Sequence, residues 1–114
     1  MSKREVAVLQ RQLLTLIESL AAVQVQNRLM ACTDRDIGLS LLGVDEHAVD
    51  RVLHHVSPKK AERIRDEIRM DRSRHVESRY VAMAVRTVIA SLQSERAVAG
   101  SRSYLRPRRR RRPQ

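Results

Sequence analysis

The run Thr33-Asp34-Arg35-Asp36-Ile37-Gly38-Leu39-Ser40-Leu41-Leu42-Gly43, and after thirteen intervening residues Ser57-Pro58-Lys59-Lys60-Ala61-Glu62-Arg63-Ile64-Arg65-Asp66-Glu67-Ile68, decide the fold class. Thr33 has a hydroxyl that can accept an orphan amide of a helix start, and Asp36 lies three residues on, at capping-box spacing. Ile37, Leu41 and Leu42 then fall on one side, and Gly43 stands where a left-handed residue ends a helix, so the spacing predicts a short helix over about 34–42. Ser57 followed by Pro58 is a strong start signal, because proline at the first helical position lacks only a donor that would be orphaned anyway. Ala61, Ile64 and Ile68 give the helix that follows a narrow apolar stripe on an otherwise charged surface.

Outward from these two blocks the helical period continues. Val6, Leu9, Leu13, Leu16, Ile17 and Leu20 recur at steps of three and four, predicting an amphipathic helix over about 3–22. Val25 and Leu29 mark a shorter one over 24–31, and Ala48, Val49, Val52, Leu53 and Val56 another that starts near Asp45. Val76, Tyr80, Met83, Ala84, Val88 and Leu92 predict a long last helix over about 74–95. No alternation of strand type and no Asn-Gly or Asp-Gly hairpin signal interrupts this pattern. The expected fold is all-α, a compact right-angled or superhelical stack of five to six short helices joined by connections of two to four residues.

Composition agrees. The chain has 114 residues, enough for one domain, and 42% are hydrophobic although Phe and Trp are absent, so the core must be aliphatic. The formal charge of +10 is concentrated. Residues 101–114 hold seven arginines and no acid; subtracting those seven from 23 basic residues leaves 16 against 13 acidic ones in the first hundred. The expected organisation is an N-terminal amphipathic helix over 1–22, a helical domain over 23–95 and a disordered Arg-rich tail over 96–114. The N-terminus becomes polar too early for a secretory signal, no apolar run spans a membrane, and the single Cys32 suits a reducing compartment, so a cytoplasmic location is expected.

The residues also carry a family resemblance. Val25-Gln26-Asn27-Arg28-Leu29 with Thr33 to Gly43, and then Val52-Leu53-His54-His55-Val56 running into Ser57 to Ile68, are similar without a gap to the C-terminal domain of the bacterial flagellar motor switch protein FliG. Weaker similarity at Leu14 to Leu20 and at Val76-Glu77 extends the resemblance to roughly residues 14–93. It implies a FliG C-terminal-domain-like fold and a non-enzymatic role in motility and chemotaxis. It also implies as partners the MotA-like stator cytoplasmic loop and the rotor or switch proteins, and a peripheral place at the flagellar basal body on the inner membrane. By position, Lys59 matches the family's basic residue after the Ser, and Asp66 and Glu67 match its acidic pair, so these three form the implied protein-contact ridge. Where the family has a lysine at the end of the preceding helix, this chain has Leu42. Helical repeats of this kind also occur in the cytoplasmic domain of MgtE-type magnesium transporters, where the fold is shared and the task is not.

Other chemistries find little footing. His54 and His55 are consecutive, about 100° apart around a helix, and His47 lies two turns from His54, so no metal site is expected. Cys32 has no positioned base, and no phosphate loop, nucleophile elbow or paired carboxylates are recognisable by spacing, so neither catalysis nor a cofactor is expected. The alternative reading rests on Arg106, Arg108, Arg109, Arg110, Arg111 and Arg112, whose guanidinium groups would bind nucleic acid or anionic lipid in a salt-sensitive way. No aromatic platform accompanies them, which argues against sequence-specific readout.

Overall fold

A computed structural model describes residues 1–94, which form six α-helices and no strand. In chain order these are α1 (Lys3–Ser19), α2 (Ala22–Ala31), α3 (Asp34–Ser40), α4 (Glu46–Leu53), α5 (Pro58–Arg72) and α6 (Ser78–Gln93). The protein is all-α. The tail over 96–114, with the arginines from Arg106 to Arg112, lies outside the described residues.

Local chemistry explains most of the boundaries. The predicted caps of α3 and α5 are in place, with Thr33 Oγ1 accepting from the Asp36 amide at 3.0 Å and Ser57 Oγ from the Lys60 amide at 3.2 Å. The reciprocal capping box stands at the start of α1. There Ser2 Oγ accepts from the Glu5 amide and Glu5 Oε1 from the Ser2 amide, and the helix start gains two satisfied donors. α3 ends at Ser40, two residues before the expected Leu42. Its last turn tightens into shorter-range bonds, Leu42 N–H to Leu39 O and Val44 N–H to Leu41 O, around Gly43 at φ +85°.

Two other boundaries, the end of α1 and the start of α6, move for tertiary reasons. α1 stops at Ser19, and Leu20 and Ala21 are extended, which turns α2 so that Val25 and Leu29 are wholly buried. α5 runs on to Arg72, four residues past Ile68, because its buried stripe continues to Asp71. α6 in consequence starts at Ser78, where 74 was expected.

α6 is the hub. Its buried Val81, Ala82, Ala84, Val85, Val88 and Leu92 face α1, α3 and α2, while α3 is held between α5 and α6 and α4 lies against α1. α1 contributes Val6, Leu13 and Ile17 to the same hydrophobic cluster as α2 to α6, so residues 1–22 share one core with the rest of the described chain. Gly38 sits where α3 crosses α5, and a Cβ there would stand 3.0 Å from the Glu67 Cβ, closer than such carbons normally approach. Side chains from the first two helices finish two helix ends. Gln10 Nε2 donates to Ser40 O and Leu42 O at 3.1 and 2.8 Å, and Arg28, itself buried, donates through Nη1 to Leu92 O. The Ser40 and Leu92 carbonyls lie in the last turns of α3 and α6, where intrahelical donors run out, and the cation at the α6 terminus also complements the helix dipole. No described helix is long and apolar enough to cross a membrane.

Candidate functional site: the outer face of α5

α5 is amphipathic in an unusual way, since charged residues stand at both ends of its buried stripe. Lys60, Ile64, Ile68 and Asp71 are its buried positions, at spacings of four, four and three that keep them on one face. At the N-terminal end Lys60 Nζ donates to Cys32 O at 2.8 Å and to Asp34 Oδ1 at 2.9 Å. At the other end Arg35 Nη1 donates to both oxygens of Asp71, at 2.8 and 3.0 Å, while Arg74 Nε lies 3.6 Å away. Two adjacent residues of α3, Asp34 and Arg35, thus hold α5 at both ends. Ile64 and Ile68 fill the span between. α5 is therefore fixed in rotation about its own axis, because turning it would pull the buried Lys60 and Asp71 away from their partners.

The opposite face carries the residues singled out by sequence. Among the described residues Lys59 is exposed and forms no ion pair, and Asp66, about two turns further at 1.5 Å of rise per residue, is exposed and bonded only to Arg69 one turn along the same helix. Glu62 is exposed between them. Glu67 points elsewhere, toward α3, where its Oε1 accepts from Arg35 Nη1 at 3.1 Å. The structure accordingly brings Lys59 and Asp66 together on one face and turns Glu67 to the helix interface. Sequence reading passed over Lys60, Asp71 and Arg35, the residues that mount this face. A signal was available, because Lys60 and Asp71 continue the Ile64 and Ile68 stripe by one step in each direction.

Electrostatics follow the geometry. Arg63 and Lys60, bonded to the two oxygens of Asp34, hold its carboxyl below the usual carboxylate range, and Asp71 with Glu67 raises the already high Arg35. A carboxyl whose folded pKa is depressed stabilises the fold above its unfolded pKa, and that contribution is lost as pH falls through the folded value. We therefore expect the stability difference between the natural chain and Asp34→Asn to be full at neutral pH and to shrink below about pH 4. Urea unfolding at pH 7, 4 and 2.5 measures it, and a constant difference would contradict the role of the Asp34 charge.

Cys32 is buried, and burial pushes its thiol up from the ordinary range, which removes thiolate character at neutral pH. His47, His54 and His55 line a shallow groove between α1 and α4, and among the described residues no three ligating side chains converge as a metal site requires. The chain matches no family model, no curated protein and no solved structure.

Proposed function

We propose that this chain is a non-enzymatic protein-contact module of the flagellar motor switch type, working through the outer face of α5. The observation that carries the reading is the exposed Lys59 and Asp66 pair, two turns apart on one face of a helix whose other face is pinned by Lys60 and Asp71. A helix that exchanges force with a moving partner must present fixed charges and must not roll, and both conditions are met here. The partner in this reading is the cytoplasmic loop of a MotA-like stator or a rotor protein, met peripherally at the cytoplasmic side of the inner membrane. Glu67 contributes by steadying Arg35 and α3.

The single intrahelical bond between Asp66 and Arg69 contributes only about 0.3–0.5 kcal/mol, so a partner arginine can replace it at little cost. Reversing the charges in Lys59→Glu with Asp66→Lys is expected to lower capture of the stator loop about tenfold in a crosslinking assay, the scale of a like-charge clash at an interface. Complementary reversal on the loop should restore it. Unchanged capture would sink the assignment.

A second reading has one specific observation in its favour, the seven arginines and no acid of residues 101–114. In it the tail binds nucleic acid or anionic lipid, and deleting 101–114 abolishes binding while leaving stator-loop capture intact.

A further inference from the structure

A second surface is built differently from the α5 face. α1 and α6 lie side by side and run in the same direction: Lys3 and Val6 share a hollow with Ser78 and Val81 near their starts, and Leu16 and Ser19 share one with Ile89 and Gln93 near their ends. Between them opens a groove of about 520 Å³ with Val8, Leu16 and Ile89 as apolar lining and Gln12, Thr15, Ser19 and Gln93 as neutral polar rim. Val8 is 46% exposed, a large apolar side chain left in water.

The one charged residue lining this groove is Arg11, and Arg4 and Arg86 stand one turn before Val8 and Ile89 on their helices. Arg4, Val8, Arg11 and Thr15 follow one another at helical spacing along α1, as Arg86, Ile89 and Gln93 do along α6. The three arginines are exposed and form no ion pair among the described residues, in contrast to most arginines of α5. Glu5, whose charge interacts with Arg86, also accepts the Ser2 amide through Oε1. Beyond Gln93 the chain continues into residues 95–114, which hold eight arginines and one acid.

We propose that the α1 and α6 groove docks an acidic amphipathic helix of a partner protein, whose apolar residues enter between Val8, Leu16 and Ile89 and whose carboxylates meet Arg4, Arg11 and Arg86. A concave channel between two helices fits a helix, and its apolar floor gives nothing to a nucleic acid backbone. A second copy of this chain would bring its own arginines against these, and the Arg-rich segment that follows Gln93 carries the wrong sign to fill the groove. The proposal is independent of the α5 reading.

The test uses the full chain and a fluorescent 20-residue peptide with Leu at positions i, i+3, i+4 and i+7 and Glu on its flanks, alongside the same peptide with Lys for Glu. Anisotropy should give binding of the acidic peptide at least about tenfold tighter than the basic one, weakening as salt is raised. Amide shifts in NMR spectra should gather on Val8, Leu16 and Ile89. Val8→Glu with Arg11→Glu, both at exposed positions and checked for unchanged helicity by circular dichroism, should weaken binding at least about tenfold. Equal affinity for both peptides, or shifts centred on α5, would overturn the proposal. So would concentration-dependent dimerisation abolished by Val8→Glu, or groove resonances that move on deletion of 96–114 without peptide, because the groove would then hold a second copy or the chain's own tail.

Discussion

Truncating Arg35 to Ala is expected to lower the unfolding free energy by about 3 kcal/mol, the lower end of the range for stranding one partner of a buried ion pair. By its own exposure the residue looks expendable, for its side chain is 47% accessible. The cost arises at its partner. The Asp71 side chain is wholly inaccessible, and without the two Arg35 bonds it keeps only Arg74 at 3.6 Å, too long for a strong charge-assisted bond. Glu67, by contrast, is 30% accessible and can turn to water when Arg35 is gone, so little of the loss comes from it. The comparison that isolates the mechanism is Arg35→Met combined with Asp71→Leu. Removing both charges and keeping their volume should recover most of the loss, as replacement of buried pairs by apolar residues often does. Urea unfolding of the two variants measures the difference. If the double variant is as unstable as Arg35→Ala, the favourable energy of the ion pair itself and not the stranded carboxylate sets the cost.

The same pair shows how far the sequence could be read. Helices whose signals are local were legible: the Ser57-Pro58 start, the Thr33 cap and Gly43, which needs its positive φ, all stand where spacing places them. The α1 stop was not, because Leu20 and Ala21 are ordinary helix formers and only the demand that Val25 and Leu29 reach the core breaks the chain there. On α5 the stripe rule assigns charged residues to solvent, and it therefore places Asp71 and Lys60 on the wrong side. A buried charge is written in two places at once, and Arg35 lies 36 residues from Asp71, beyond any local pattern. For the candidate ridge, helical spacing was enough to put Lys59 and Asp66 on one face. The same spacing puts Glu67 beside the buried stripe, three residues after Ile64 and four before Asp71, and its partner Arg35 on α3 is the tertiary part.

Lys60→Ala is expected to cost about 3 kcal/mol, whereas Lys59→Ala should stay within about 0.5 kcal/mol of the natural chain. The two side chains are neighbours of identical chemistry, so composition and propensity cancel from the comparison. Lys59 is exposed and unpaired among the described residues, and its removal frees side-chain entropy without stranding any of their groups. Lys60 is 6% exposed and its ammonium satisfies two acceptors, the Cys32 carbonyl where α2 ends and the Asp34 carboxylate where α3 begins. Cys32 is buried, so its carbonyl has no easy access to water once the ammonium is gone, and an unsatisfied buried acceptor costs roughly 1–3 kcal/mol. Asp34 suffers less, for Arg63 still holds its second oxygen at 2.8 Å. Lys60→Met separates the remaining parts: it restores the buried stem and none of the bonds, and should recover about 1 kcal/mol of the loss. The functional consequence runs in the opposite order. Lys59→Ala should leave unfolding unchanged and still weaken capture of the α5 partner. Lys60→Ala should weaken capture only in proportion to the fraction unfolded, so adding a stabilising osmolyte should restore it for Lys60→Ala and not for Lys59→Ala. Equal rescue of both variants would mean that Lys59 supports the fold and that the outer face of α5 is not the contact surface.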